Sequence, residues 1–303
     1  MELFYTLYEQ LHLLCPGLEL RQAEPMSRHT SFRIGGPVPL MALPKTEEEA
    51  VCAVKAASEL GVEPFFLGKG SNLLVADRGV DRFVIKLGAG FDACRREGNM
   101  IWGQCGVTMA RLACFARDQG LTGLEFAHGI PGSLGGGATM NAGAYGGELR
   151  QVVRTVRCLN RQGEVEEVTD FDYGYRHSVF SDGSRLLLEV GLELTPGDPG
   201  EIQATMEELT ARRQSKQPLE FPSAGSVFKR PEGHFAGALI EGAGLKGLTV
   251  GGAQVSSKHA GFIVNLGNAT CSDVLELVRQ IRERVKAGTG VELEMEIRRL
   301  GVE

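Results

Sequence analysis

The sequence contains no C-x-x-C pair and no H-x-x-x-H spacing, so neither a zinc ribbon nor a helix-borne metal site is on offer, and no metal is expected. Its seven cysteines, at 15, 52, 94, 105, 114, 158 and 271, are scattered and odd in number. That excludes a disulfide framework and favours reduced, mostly buried thiols in a cytoplasmic protein. No run of lysine and arginine occurs and the net charge is −6, which argues against a nucleic-acid partner. No apolar stretch reaches eighteen residues, so no membrane helix is expected. The Walker pattern G-x-x-x-x-G-K-[ST] and the nucleophile elbow G-x-S-x-G are also missing, which removes P-loop and elbow-serine chemistry. The N-terminal residues lack a basic start and a small-residue cleavage site. Leu3, Leu7, Leu11 and Leu14 instead recur at helical spacing, which predicts an amphipathic helix ended near Pro16 rather than a signal peptide.

What the chain does have is glycine. Residues 129–147 read GIPGSLGGGATMNAGAYGG, and eight of these nineteen are glycine, against one or two at the average usage of about 7%. Ile130, Leu134, Met140 and Tyr145 are interleaved with them and want to be packed, unlike the residues of a flexible linker. Bare backbone can come close to a ligand and aim several N–H groups at one anion, so the stretch is read as a phosphate cradle without a G-x-G-x-x-G in it. A second glycine turn, Gly68-Lys69-Gly70-Ser71-Asn72, lies between two apolar runs and is either a plain turn or a second phosphate contact.

In chain order, Thr46 opens a capping box with Glu49, and the helix it starts should stop at Gly61. Strands are expected at 64–76 around the glycine turn, at 82–87 and at 100–103, then a helix from Thr108 to Gln119 stopped by Gly120. This alternation favours a mixed α/β region. From 152 to 194 the pattern is strand-rich. A third region, from about Pro199, holds a helix, a proline-punctuated breaker at 218–222, short strands, and a last helix over 272–287 ended by Gly288. Val291–Arg298 alternates strictly, predicting a final strand with Val291, Leu293, Met295 and Ile297 on one face and Glu292, Glu294, Glu296 and Arg298 on the other. The segments proposed are 1–90, 91–198 and 199–303. At this level Arg176 could equally be a surface arginine, and periodicity does not choose among the three glutamates.

Six segments taken together resemble one family. They are Gly68–Val75 (GKGSNLLV), Gly129–Gly136 (GIPGSLGG), Met140–Gly146 (MNAGAYG), Tyr175–Phe180 (YRHSVF), Ala224–Lys229 (AGSVFK) and the terminal Leu293–Arg298 (LEMEIR). In order from about Thr30 to Gly301 they are similar to the UDP-N-acetylenolpyruvoylglucosamine reductases, in the shorter subclass without an extra tyrosine-bearing loop. The resemblance implies an α+β protein: a two-part α/β FAD-binding domain of the vanillyl-alcohol-oxidase (PCMH) type and a smaller α+β substrate-binding domain. It implies non-covalent FAD held by Gly68, Lys69, Gly70, Ser71, Asn72, Gly129, Pro131, Gly132, Ser133, Gly136, Asn141, Ala142 and Gly143. The reaction it implies uses NADPH to reduce the double bond of UDP-N-acetylglucosamine enolpyruvate, giving UDP-N-acetylmuramate for peptidoglycan. Arg176 would then grip the substrate carboxylate, Glu296 would be a second stabiliser in its protonated form, and Ser226 would donate the proton to carbon, assisted by Lys229 or a water. Tyr175, Lys216, Lys229, Arg230 and His259 would bind substrate; Arg230 and His259 stand where some members carry Asn and Gln. An alternative is another FAD-dependent oxidoreductase of the same fold, with flavin tethered through His128 or Cys105.

Overall fold

The leucine spacing at the N-terminus does build a helix, Glu2–Leu14, but with a narrower apolar stripe than expected: Leu7 and Leu11 are buried, while Leu3 and Leu14 stay exposed. In the computed structural model, which describes residues 2–302, this helix packs on helix Glu47–Glu59. Thr46 Oγ1 accepts the Glu49 N–H at 3.3 Å, and the Glu49 carboxylate reaches back to the Lys45 N–H at 2.6 Å. Gly61, at φ +65°, takes the left-handed position that ends the helix. The strands on either side of this helix, Pro37–Leu43 and Pro64–Leu67, both pair in parallel with Phe83–Lys86. Glu19–Pro25 completes the four-stranded sheet at the far edge. A parallel pairing needs a crossover, and helix Glu47–Glu59 supplies it.

The strand-rich middle of the chain forms a five-stranded antiparallel sheet, in the order Val165–Val168, Val153–Leu159, Leu186–Glu193, Met100–Gln104, Cys94–Glu97. The central strand Leu186–Glu193 is buried at six of eight positions because helix Leu134–Thr139 covers one of its faces. Helix Met109–Asp118, capped by Thr108, buries Met109, Leu112, Ala113 and Ala116. One apolar core, from Leu7 to Met206, underlies both sheets.

A second core forms independently around Phe32, Leu74, Val227, Ile240, Val255 and Ile281. Its scaffold is an antiparallel sheet of Thr249–Val250, Ala253–Val255 and Ile263–Asn265, together with helix Cys271–Thr289 and the short helix Ala236–Gly242. Segment 24–38 is sewn into this core from far away in sequence: Ser31 Oγ donates to the Ser223 carbonyl at 2.7 Å, and Asn265 Nδ2 to the Phe32 carbonyl at 3.0 Å. The chain accordingly forms two interleaved units, 1–23 with 39–69 and 82–212, and 24–38 with 70–81 and 213–303. Neither 90/91 nor 198/199 separates them. Helix Pro199–Lys216 extends through Arg212, Arg213 and Lys216 to just before the proline-punctuated breaker.

Two terminal elements differ from their expected form. Helix Cys271–Thr289 passes through Gly288 and ends at Gly290, φ +74°, because that is the position with left-handed backbone. The alternating segment after it is a regular strand only at Arg298–Leu300, paired in parallel with Leu73–Val75. Its earlier part meets just the short stretch 227–229, through Lys229 N–H to the Glu294 carbonyl and Glu296 N–H to the Val227 carbonyl, both 2.8 Å. Alternation survives in part: Leu293 and Ile297 are buried, Glu292 and Glu294 exposed, but Glu296 is half-buried. Among the described residues no helix is long and apolar enough to cross a membrane.

The last long helix is capped twice. Thr270 and Asp273 form a reciprocal box, with both bonds at 3.0 Å, and the Asp77 carboxylate accepts the N–H groups of Cys271 and Ser272 at 2.7 and 3.0 Å. Asp77→Ala is therefore expected to lower stability by about 1 kcal/mol, the usual worth of a helix cap, as measured by urea unfolding. An unchanged midpoint would show that Thr270 suffices.

Candidate active site

The turn Gly68–Asn72 is tight because neighbouring atoms leave no space for side chains. A Cβ on Gly68 would lie 2.2 Å from Ser133 Oγ, which brings the first glycine turn against the second glycine-rich stretch. Gly70, at φ +61°, would place a Cβ 2.3 Å from the His29 carbonyl oxygen. Lys69 projects into solvent. Asn72 is committed to the protein itself: its Nδ2 donates to the Glu296 carbonyl at 3.2 Å, and its carbonyl accepts the Arg298 N–H at 3.1 Å.

The stretch 129–147 is not a continuous loop. Residues Leu134–Thr139 form a short helix, and two of its glycines are there for packing: a Cβ at Gly135 would come 2.9 Å from Cys105 Cβ, and one at Gly137 3.0 Å from Met109 Sδ. Gly136 and Pro131 face solvent, and Gly129, Gly132, Ala142 and Gly143 are half-buried. Ser133 is 2% exposed and its hydroxyl has no hydrogen-bond partner among the described residues. Such a group costs roughly 1–3 kcal/mol if it stays unpaired, which makes Ser133 a candidate ligand contact. The Ala142 N–H and carbonyl are both used, by Gly137 and Leu149. A G-x-G-x-x-G does occur, at Gly242–Gly247, but it follows the C-terminus of helix Ala236–Gly242 rather than opening a helix, so it is a stop and not a dinucleotide fingerprint.

Arg176 stands on a two-residue turn closed by Gly174 and His177, whose backbones exchange hydrogen bonds of 3.1 and 3.4 Å. Its own φ is +57°, a backbone position that non-glycine residues take only when held there. The guanidinium lies 5.4 Å from the ring centre of the exposed Tyr175. Arg176 and Tyr175 belong to the first unit; Ser226, Glu296, Lys216, Lys229, Arg230 and His259 belong to the second.

Within the second unit, pairing of 227–229 with 294–296 sets Ser226 and Glu296 on facing segments. Ser226 follows Gly225, φ +79°, and is exposed. Lys229 forms an ion pair with Glu294 across the same pairing. Arg230 stacks on Phe235, 4.0 Å from its ring centre, and Lys216 is exposed at the end of its helix. His259 Nδ1 accepts the Gly261 N–H at 3.1 Å, so its ring proton sits on Nε2, and Phe262 packs edge-on at 5.0 Å. Of the tether positions, Cys105 is core-buried, with its thiol held far above its ordinary range by burial, and His128 Nδ1 shares a 3.0 Å bond with Thr210. The bracing work of Asn72 and Asn141, whose side chains bond to protein, was not foreseen; only the fold places their partners beside them.

Residues 217–300 match the family described as UDP-N-acetylenolpyruvoylglucosamine reductase, C-terminal domain, and residues 38–169 match the FAD binding domain family. The UDP-N-acetylenolpyruvoylglucosamine reductase of Alkaliphilus oremlandii is 48% identical over 92% of this chain and 93% of its own. That of Geobacillus thermodenitrificans is 45% identical over the whole of both. The crystal structure of UDP-N-acetylenolpyruvylglucosamine reductase from Thermus caldophilus superposes with a TM-score of 0.81 at 35% identity, covering 93% of this chain and 98% of that one.

Burial lowers the proton affinity of His259, and Lys246 adds to this. Its neutral form contributes stability that is whole above the unfolded value of about 6.5 and falls as pH drops toward the lower folded value. His259→Gln should flatten that acid limb in thermal melts taken across this range. An acid limb as steep as the parent's would assign the proton uptake elsewhere.

Proposed function

The chain belongs to the UDP-N-acetylenolpyruvoylglucosamine reductase family, and on that premise we propose that Arg176, Ser226 and Glu296 carry out the NADPH-dependent reduction of UDP-N-acetylglucosamine enolpyruvate. The product is UDP-N-acetylmuramate, a peptidoglycan precursor. The protein is an FAD-binding oxidoreductase; bound FAD supplies the hydride chemistry, drawn from NADPH and given to the outer carbon of the enolpyruvyl double bond. The likeness along nearly the whole chain carries this reading. The seven free cysteines suit a cytoplasmic, reducing setting.

The residues present fit the cofactor. Ser133 keeps a buried hydroxyl unspent, and Gly68 beside it leaves no side chain in the way. Gly129, Pro131, Gly132 and Gly136 present accessible backbone around them. The Asn141 amide is bonded to protein through both its nitrogen and its oxygen, so any part it takes in the cofactor site is through the main chain, while Asn72 spends one amide N–H on the Glu296 carbonyl. Lys69, Gly70 and Ser71 are the remaining turn residues assigned to it.

Addition to the outer carbon leaves negative charge on the inner carbon and its carboxylate. Arg176, a planar fork of five donors, suits that carboxylate and the enolate it becomes. Ser226 is solvent-accessible and lies on the segment facing Glu296, which supports its reading as the donor of a proton to the inner carbon. A free serine is a weak acid, and with Lys229 drawn to Glu294 a water is the better assistant. The Glu296 N–H is held by the Val227 carbonyl and its own carbonyl by the Asn72 side-chain amide, which supports the reading of Glu296 as a second stabiliser. Tyr175, Lys216, Lys229, Arg230 and His259 are assigned to the nucleotide-sugar, with Lys216 suited to a phosphate.

The purified protein should carry a releasable yellow chromophore, bleached by NADPH and recoloured by UDP-N-acetylglucosamine enolpyruvate; a colourless protein, or no recolouring, overturns the reading. Ser226→Ala should leave reduction by NADPH intact and slow recolouring about 100- to 10,000-fold, the worth of a general acid. Equal slowing of both halves would make Ser226 structural. Ser133→Ala should stabilise the flavin-free protein, by removing an unpaired buried hydroxyl, yet weaken FAD binding about tenfold in equilibrium titration. A change of the same sign in both would place Ser133 outside the cofactor site.

A further inference from the structure

Asn141 is 2% exposed and sits at φ +45°, two features that demand a reason in an asparagine with a polar side chain. Its amide is fully spent. Nδ2 donates to the Gly174 carbonyl at 3.1 Å and to Glu148 Oε2 at 2.7 Å, and Oδ1 accepts the Arg150 N–H at 2.9 Å. Gly174 is the first residue of the turn that bears Arg176. The same loop is pinned a second time just upstream of Asn141, where Ser178 Oγ donates to the Thr139 carbonyl at 2.7 Å. The Glu148 carboxylate is itself fixed, by Arg150 at 2.5 Å. The left-handed Arg176 is thus over-determined from one side by residues 139–150.

We propose that Asn141 is a positioning residue for Arg176: its buried amide locks the Gly174–His177 turn to the Glu148 carboxylate and the Arg150 N–H, and so aims the guanidinium at the substrate carboxylate. This rests on the role given to Arg176 above. A carboxylate at 141 would keep the bond from Arg150 but would face Glu148 and the Gly174 carbonyl with no proton to donate. A serine would be too short to bridge both.

The test compares Asn141→Asp, Asn141→Ser and Arg176→Lys by following the two half-reactions separately. Both Asn141 variants, compared at saturating FAD, should be slowed far less in reduction by NADPH than in recolouring. Their recolouring by UDP-N-acetylglucosamine enolpyruvate should be about 10- to 100-fold slower, the cost of a misplaced clamp, with a matching rise in the substrate's dissociation constant for the oxidised protein. Adding Arg176→Lys to Asn141→Asp should slow recolouring little beyond the worse single variant, since both act through one group. Should Asn141→Asp fail to fold, Asn141→Ser gives the same split without the added charge. Loss of FAD, or equal slowing of both half-reactions, would return Asn141 to the cofactor site and overturn the proposal; so would full additivity. If Arg176→Lys is impaired while both Asn141 variants are not, the brace alone falls. If Arg176→Lys recolours normally, the role of Arg176 falls first and the brace loses its purpose.

Discussion

The turn at Gly68–Asn72 can exist only where backbone lies directly against its neighbours, and much of the second unit depends on that contact. Gly70 abuts the carbonyl of His29, a residue fixed from beneath by a 2.8 Å bond between its Nε2 and the Glu24 carboxylate, both side chains almost wholly buried. From that footing Asn72 reaches Glu296 across a sequence separation of 224 residues, and Leu73–Val75 zips in parallel with Arg298–Leu300. Closing so long a loop costs little more than closing one half its length, because the entropy grows only with the logarithm of loop size. The C-terminal segment can therefore be recruited to an N-terminal turn, and Glu296 inherits its place from a glycine-dependent geometry far from it in sequence.

Local chemistry was legible wherever a side chain or backbone angle decides the structure alone. Thr46, Thr108, Gly61 and Gly120 end their helices where their residue types say they should. The inward positions of the last helix, from Val274 to Val285, are the buried ones. The choice between Gly288 and Gly290 could not be made this way, since either glycine tolerates the left-handed position; the backbone takes it at the later one. The terminal alternation predicts a strand over Val291–Arg298, but a strand forms only where a partner runs alongside it. The segment available, 227–229, is too short to give one.

The glycine-rich stretch shows the same boundary in the candidate site. Its glycine count pointed to close approach, and close approach is what it achieves, though in two directions. Gly135 and Gly137 let a short helix press against Cys105 and Met109, while the surrounding backbone stays accessible. Composition cannot tell a glycine that admits a ligand from one that admits a neighbouring side chain; both are places where a Cβ would clash. Likewise, an asparagine in a cofactor motif does not announce whether its amide faces the ligand or the protein. Asn72 and Asn141 both turn inward.

Four of the six non-glycine residues with positive φ fall between 141 and 176: Asn141, Tyr145, Asp172 and Arg176. Each costs on the order of 1–3 kcal/mol unless the surroundings compensate. Compensation is visible here, in the Asn141 amide, the paired hairpin Gly143–Glu148 that carries Tyr145 at its tip, and the exchanged bonds across the Arg176 turn. Strain held in this way sets a side chain's direction more sharply than a relaxed loop could, because few other backbone conformations satisfy the same set of bonds. In the role proposed for Arg176, a guanidinium meeting developing charge on an enolate gains from that, since reorganisation avoided before the reaction lowers the barrier within it. The same logic separates the two kinds of buried polar group in this region. Asn141 spends both amide hydrogens and its oxygen on protein, as the proposed brace requires, whereas Ser133 has its hydroxyl unspent, as the proposed cofactor contact requires.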